Sequence, residues 1–188
     1  MLFALLSPAF ASVCAAPTVR SYDLAPDGST WLLSADAESI CWWIVDDNGD
    51  DRVAAHWSAV GTRRPVAIEA LADGRALLVV EDATGWQLMV RGVSGDQDLL
   101  PIRLSAPPDR IVAHPLLPLA AIRSPEAAGD VRVVLVDLDL GRVVATVTVT
   151  AAHADMRFVR GDDRLYLGGL VLGPDGIADV SDAPGSRS

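Results

Sequence analysis

The feature that most narrows the fold is a self-similarity with a period of 46 residues. The turn Pro26-Asp27-Gly28, followed by Trp31-Leu32-Leu33, returns 46 residues on as Ala72-Asp73-Gly74 followed by Leu77-Leu78-Val79-Val80. A second turn signal, Asn48-Gly49, returns at Ser94-Gly95 and again at Leu140-Gly141 with the same spacing. A fixed period in this range marks a repeat architecture, in which each supersecondary unit buries its apolar faces against its neighbours. The third unit replaces the Asp-Gly turn with His114-Pro115-Leu116-Leu117-Pro118. Proline sets a turn by fixing φ, as glycine does by permitting positive φ. A fourth unit begins at Met156-Arg157-Phe158-Val159-Arg160, turns at Gly161-Asp162-Asp163 and continues as Arg164-Leu165-Tyr166-Leu167. The distance from first to second turn contracts from 21 residues in the first two units to 14 here, ending at Pro174-Asp175-Gly176.

Between the turns the runs are short, rich in Val, Ile, Leu and Trp, and bounded by Gly, Pro, Asp and Asn, which is how strands are written. Each unit holds four of them; in unit two they fall near 66–70, 76–81, 86–92 and 98–104. The run from Val143 to Thr150 is the cleanest, its later half alternating Val and Thr at period two. No stretch carries convincing helical periodicity, and Glu126-Ala127-Ala128 supports a single helical turn at most. The prediction is an all-β chain, a β-propeller-like array of four-stranded antiparallel blades with three full units and a shortened fourth. Stacked blades are buried on both faces, which accounts for the unbroken apolar run Trp42-Trp43-Ile44-Val45.

The run Val133–Val147 (VVLVDLDLGRVVATV), then Met156-Arg157-Phe158 and Asp163-Arg164-Leu165-Tyr166-Leu167, resembles the repeat of YVTN-type and related WD-repeat-like bacterial β-propellers. The resemblance covers roughly residues 18 to 182 and implies a propeller. It does not imply one function, since such propellers include scaffolds, binding proteins and enzymes. Typical members have seven blades, so this chain either closes as a compact ring, is a fragment or half-ring completed by another chain, or uses Leu2–Ser7 as a closing strand.

The ends frame a domain at 17–182. Leu2–Ala16 is apolar and small-residue-rich, the outline of a signal peptide over 1–16, and 183–188 reads as a flexible tail. Export to a secreted or periplasmic location follows from that leader. Cys14 sits in a poor lipobox, so lipid attachment is not expected. Cutting after Ala16 would leave Cys41 as a lone thiol without an intramolecular disulfide, acting as a small buried hydrophobe. No apolar run approaches the roughly 20 residues of a spanning helix.

The chain carries 25 acids against 15 basic residues, all arginine, for a net charge of −10. That balance excludes the basic footprint of a nucleic-acid binder and directs electrostatic attraction toward basic patches on a protein partner. Candidate binding residues are Trp57 and Trp86, as the tryptophans expected to be exposed, the doublet Arg63-Arg64 in the loop between units one and two, and His114 in its turn. The acidic hairpin with Asp46, Asp47, Asp50 and Asp51 around Asn48-Gly49 offers hard oxygen ligands for calcium, although it lacks the EF-hand frame. The histidines His56, His114 and His153 have no metal-ligand spacing, no nucleophile elbow or nucleotide fingerprint occurs, and no cofactor is called for.

The reading is a non-catalytic, exported binding module that takes a protein partner or a small ligand on one face of the ring, with a homodimer as one way to complete that ring. The alternative is a lactonase- or quinoprotein-like propeller enzyme, or a fragment of a larger propeller. The enzyme would need carboxylates and histidine converging near the axis.

Overall fold

The computed structural model describes residue 14 and residues 18–58, 63–92, 97–151, 155–159, 161–173 and 176–179. Apart from Cys14, the leader lies outside the described residues, as do the tail from 183, the turn at Ser94-Gly95, His153 and the Pro174-Asp175 turn.

Among the described residues, sixteen strands form four antiparallel sheets, each a simple meander of four consecutive strands. Blade 1 contains β1 (Thr18–Leu24), β2 (Thr30–Ala35), β3 (Ser39–Val45) and β4 (Asp51–Ser58). Blade 2 contains β5 (Arg63–Ala70), β6 (Ala76–Asp82), β7 (Gly85–Arg91) and β8 (Gln97–Leu104), close to the expected spans. Blade 3 contains β9 (Arg110–Ala113), β10 (Leu119–Pro125), β11 (Asp130–Asp137) and β12 (Arg142–Thr150). Blade 4 contains β13 (Met156–Phe158), β14 (Leu165–Leu167), β15 (Leu170–Gly173) and β16 (Gly176–Asp179). The contracted fourth unit therefore keeps four strands by shortening each. A short 3-10 turn spans Ala127–Gly129.

Local chemistry explains the repeated hairpins. Gly28 and Gly74 close the first turns of blades 1 and 2 at φ of +88° and +81°, a region that glycine enters without steric cost. The preceding aspartates fix the same turns, Asp27 accepting from the amide of Ser29 and Asp73 from that of Arg75. A bulge recurs at one register position, between Val19 and Ser21 in β1 and between Pro65 and Ala67 in β5. The repeat thus extends to an irregularity that bends the first strand of each unit.

Successive blades stack through three apolar layers in series. Trp31, Leu33, Ile40 and Trp42 of blade 1 meet Ile68, Leu78 and Val80 of blade 2, with the Trp31 and Trp42 rings 5.1 Å apart. Leu77, Val79, Leu88 and Val90 of blade 2 meet Ala120, Ile122 and Val136 of blade 3. Ala121, Val133 and Leu135 of blade 3 meet Met156, Leu165, Leu167 and Leu172 of blade 4. Each fully buried large side chain in such a layer contributes roughly 1.5–3 kcal/mol. Among the described residues no apolar layer joins blade 4 to blade 1, so these four blades form an open series.

The expectation of a lone Cys41 gives way to a disulfide between Cys14 and Cys41. Cys41 is buried as expected, but its sulfur projects from the face of blade 1 opposite to Ile40 and Trp42, because strand side chains alternate. That bond and removal of residues 1–16 are alternatives for any one molecule. Arg63 and Arg64 are also relocated: they open β5 instead of lying in a linker, because the sheet extends through Pro65 by way of the bulge.

Candidate functional site

The first turn of blade 3 departs from its counterparts in blades 1 and 2 and is held by one side chain. His114 is 1% exposed, and its backbone N–H donates to Leu119 O across the turn. Its Nδ1 accepts from the amides of Leu116 and Leu117 at 3.0 and 2.8 Å, so the proton belongs on Nε2, which donates to Asp162 O of blade 4 at 2.7 Å. The Phe158 ring packs edge-on against the imidazole at 5.0 Å. The result is a rigid turn that leaves Leu116 and Leu117 52% and 39% exposed.

Those leucines line a groove of about 230 Å³ between blades 2 and 3, together with Leu71, Pro118, Asp73 and Asp139. Leu140, 63% exposed, follows Asp139 in the second turn of blade 3. Arg75 reaches both carboxylates, at 2.6 Å from Asp73 and 2.9 Å from Asp139. One guanidinium thus shares two acids, leaving the groove apolar at its centre and net negative at its rim. The two acids hold Arg75 firmly protonated, while Arg75 and the local turn amide keep Asp73 below the ordinary aspartate range despite its partial burial.

A second feature runs along the first strands, which pack on one another in order, β1 on β5, β5 on β9 and β9 on β13. Side chains there tie one blade to the backbone of the next. Ser21 Oγ accepts from Ile68 N at 3.3 Å, Asp23 from Ala70 N at 2.7 Å, and Glu69 from Ala113 N at 2.9 Å. Glu69 borders a cleft of about 240 Å³ with Ser21, Tyr22, Asp109 and Arg110. Burial, and secondarily the Asp23 charge, push its carboxyl up to about 7 against the opposing pull of the Ala113 amide and Arg110. Sequence reasoning passed over Asp23 and Glu69, although their separation of 46 residues, the repeat period, was the available signal.

The structure disperses the other candidates. Trp57 is half-buried against the layer between blades 1 and 2, with the Arg91 guanidinium 5.1 Å over its ring. Trp86 is half-buried against the next layer. Arg64 pairs with Glu81 on the neighbouring strand, and Arg63 is exposed. In the acidic hairpin, Asp46 Oδ1 accepts from the amides of Asn48 and Asp50. Asp47, Asp50 and Asp51 are exposed there. Among the described residues no three His, Cys, Asp or Glu side chains gather as a metal ion would require. His56 lies exposed on β4, the fourth strand of blade 1, while Asp23 and Glu69 belong to first strands. No helix among the described residues is long and apolar enough to cross a membrane.

No protein-family model matches the sequence, and comparison with curated proteins gives no match. Solved structures do resemble it. Puromycin hydrolase aligns at a TM-score of 0.50 and 17% identity, over 81% of this chain and 25% of its own. The WD40 domain of SCAP from fission yeast aligns at 0.46 and 16%, over 84% of this chain and 40% of its own. The chain therefore spans a quarter of the first and two fifths of the second. At such identities the likeness bears on fold alone; the four meander sheets, stacked in series through their apolar layers, make this chain an all-β, propeller-like series of blades.

Proposed function

We propose that the chain is a non-catalytic protein-binding module whose docking site is the groove between the first turns of blades 2 and 3. The observation that carries this reading is the His114 turn. It uses a buried imidazole to hold two leucines out toward solvent, where the equivalent positions of blades 1 and 2 carry solvated Asp-Gly turns. Local departures from a repeat's own rule concentrate at functional sites. Exposed apolar side chains grouped in a groove with a charged rim suit a protein partner. The rim selects its chemistry, because Asp73 and Asp139 outnumber Arg75. The partner is a segment that places an apolar side chain beside a lysine or arginine.

The same reading puts the module in an oxidising, secreted or periplasmic compartment with Cys14 retained in the chain, and the Cys14–Cys41 disulfide supports the oxidising part of it. The docking test is a titration of the isotope-labelled full chain with short peptides pairing leucine with lysine or arginine. Saturable amide shifts at Leu116, Leu117 and Leu140, weakened by added salt and lost in Leu117→Asp, are expected. Shifts scattered over the surface, or none, would refute the site.

A further inference from the structure

Among the described residues, blade 1 leaves uncovered a face that blades 2, 3 and 4 each fill with a preceding blade. The last register pair before the first turn is Leu24↔Thr30 in blade 1, Ala70↔Ala76 in blade 2, Ala113↔Ala120 in blade 3 and Phe158↔Leu165 in blade 4. Two residues earlier stand Tyr22, Ile68, Ile111 and Met156, on the same side of the strand. In blades 2 to 4 these positions belong to the layer shared with the preceding blade; Ile68 and Met156 are each 2% exposed and Ala70 is 6%. The equivalent Tyr22 and Leu24 are 72% and 68% exposed. Leu32, Trp43 and Val53, each half-buried, continue this face across the sheet, and Cys14 is bonded to Cys41 on the same face.

The opposite end of the series supplies a match. Between the two receiving positions of each first strand lies one residue that points onward to the following blade: Asp23, Glu69, Val112 and Arg157. Asp23 and Glu69 are near enough for their charges to interact. Arg157 is exposed, 6.0 Å over the half-buried Tyr166 ring. A blade placed before blade 1 would set its onward-pointing residue beside Asp23, as Asp23 is set beside Glu69. Of the four onward-pointing residues of this chain, only Arg157 brings a cation there.

We propose that blade 4 of a second copy packs on the open face of blade 1, so that two chains join head to tail through two equivalent interfaces into one ring of eight blades. Each interface continues the stacking already present between blades 1 and 2. It covers Tyr22, Leu24, Leu32 and Trp43 with the Arg157 and Tyr166 side of blade 4, and puts Arg157 of the second copy against Asp23. Head-to-tail contacts close only if the accumulated rotation returns to the start, and otherwise give open chains. This inference is independent of the groove between blades 2 and 3.

Light scattering with size exclusion on the oxidised full chain tests it. The expected mass is that of two chains. Because the altered positions are exposed in the single chain, the double variant Tyr22→Asp/Leu24→Asp and the variant Arg157→Glu keep the fold, verified by unchanged far-ultraviolet dichroism. Each raises the dimer dissociation constant roughly tenfold or more. Mixing the two variants restores one intact interface, so mixed dimers form in preference to either variant's own. A single-chain mass, an open-ended series of masses, or a dimer weakened by the blade 1 variant but indifferent to Arg157→Glu would overturn the proposal, the last because it means face-to-face pairing through blade 1.

Discussion

The carboxylate of Glu69 lies 2.9 Å from the amide nitrogen of Ala113 and accepts its hydrogen bond across the boundary between blades 2 and 3. Burial and the neighbouring Asp23 raise the same carboxyl to about 7, well above its unfolded value, so the folded chain retains a proton that the unfolded chain releases. The stabilisation tied to that proton is complete below about pH 4.5 and disappears as pH rises through 7. Glu69→Gln keeps an acceptor for Ala113 and removes the titration. Chemical unfolding should find the variant more stable than wild type at pH 8, by on the order of 1 kcal/mol or more, with the gap closing toward pH 5. Parallel stability curves for the two proteins would contradict this assignment.

His114→Leu fills similar volume but removes the acceptor for two turn amides and the donor to Asp162. The expected loss is about 2–4 kcal/mol of stability, measured by denaturant titration. Amide exchange should accelerate first at Leu116 and Leu117. A loss within a few tenths of a kcal/mol would mean that the turn is held by its prolines alone.

Arg75 is partly exposed, so its ion pairs should add little to stability. Arg75→Ala is expected to shift unfolding by less than about 1 kcal/mol. It should nevertheless tighten binding of a lysine-leucine peptide, because Asp73 and Asp139 would then face the groove unshared. Calorimetric titration separates the two effects, and weaker peptide binding in the variant would count against the electrostatic role of the rim.

The Cys14–Cys41 bond closes a loop with a sequence separation of 27. Reducing it, or replacing both cysteines with alanine, should lower stability by roughly 3 kcal/mol through the entropy regained by the unfolded chain. Thermal melts with and without reductant would show this for the full chain, and the double alanine variant should be indifferent to reductant.

The fold was legible because turn chemistry and apolar runs recurred together. Gly28 and Gly74 announced the hairpins, and the contraction after Gly161 announced the short fourth blade. The site was harder to read, for two physical reasons. Whether a leucine is core or surface depends on what the neighbouring blade covers, and nothing local distinguishes Leu116 from Leu119, although one is exposed and the other buried. The disulfide joins residues from either side of an expected cleavage point, so reading the leader as removable concealed the pairing. Trp57 and Trp86 illustrate the opposite problem. Their aromatic character suggested a binding surface, while both lean on layers between blades.

Three apolar layers in series mean that, within one chain, each blade's stability is borrowed from its immediate neighbours, and the end blades have one lender each until a second copy joins them. Blade 4 also has the shortest strands, so cooperativity should decay along the chain and unravelling should begin at β13–β16, with the Met156–Leu165 region losing order while blades 2 and 3 persist. Such a chain can gain or lose a unit at either end without dismantling its middle. On an evolutionary timescale that makes blade number an adjustable property of the lineage.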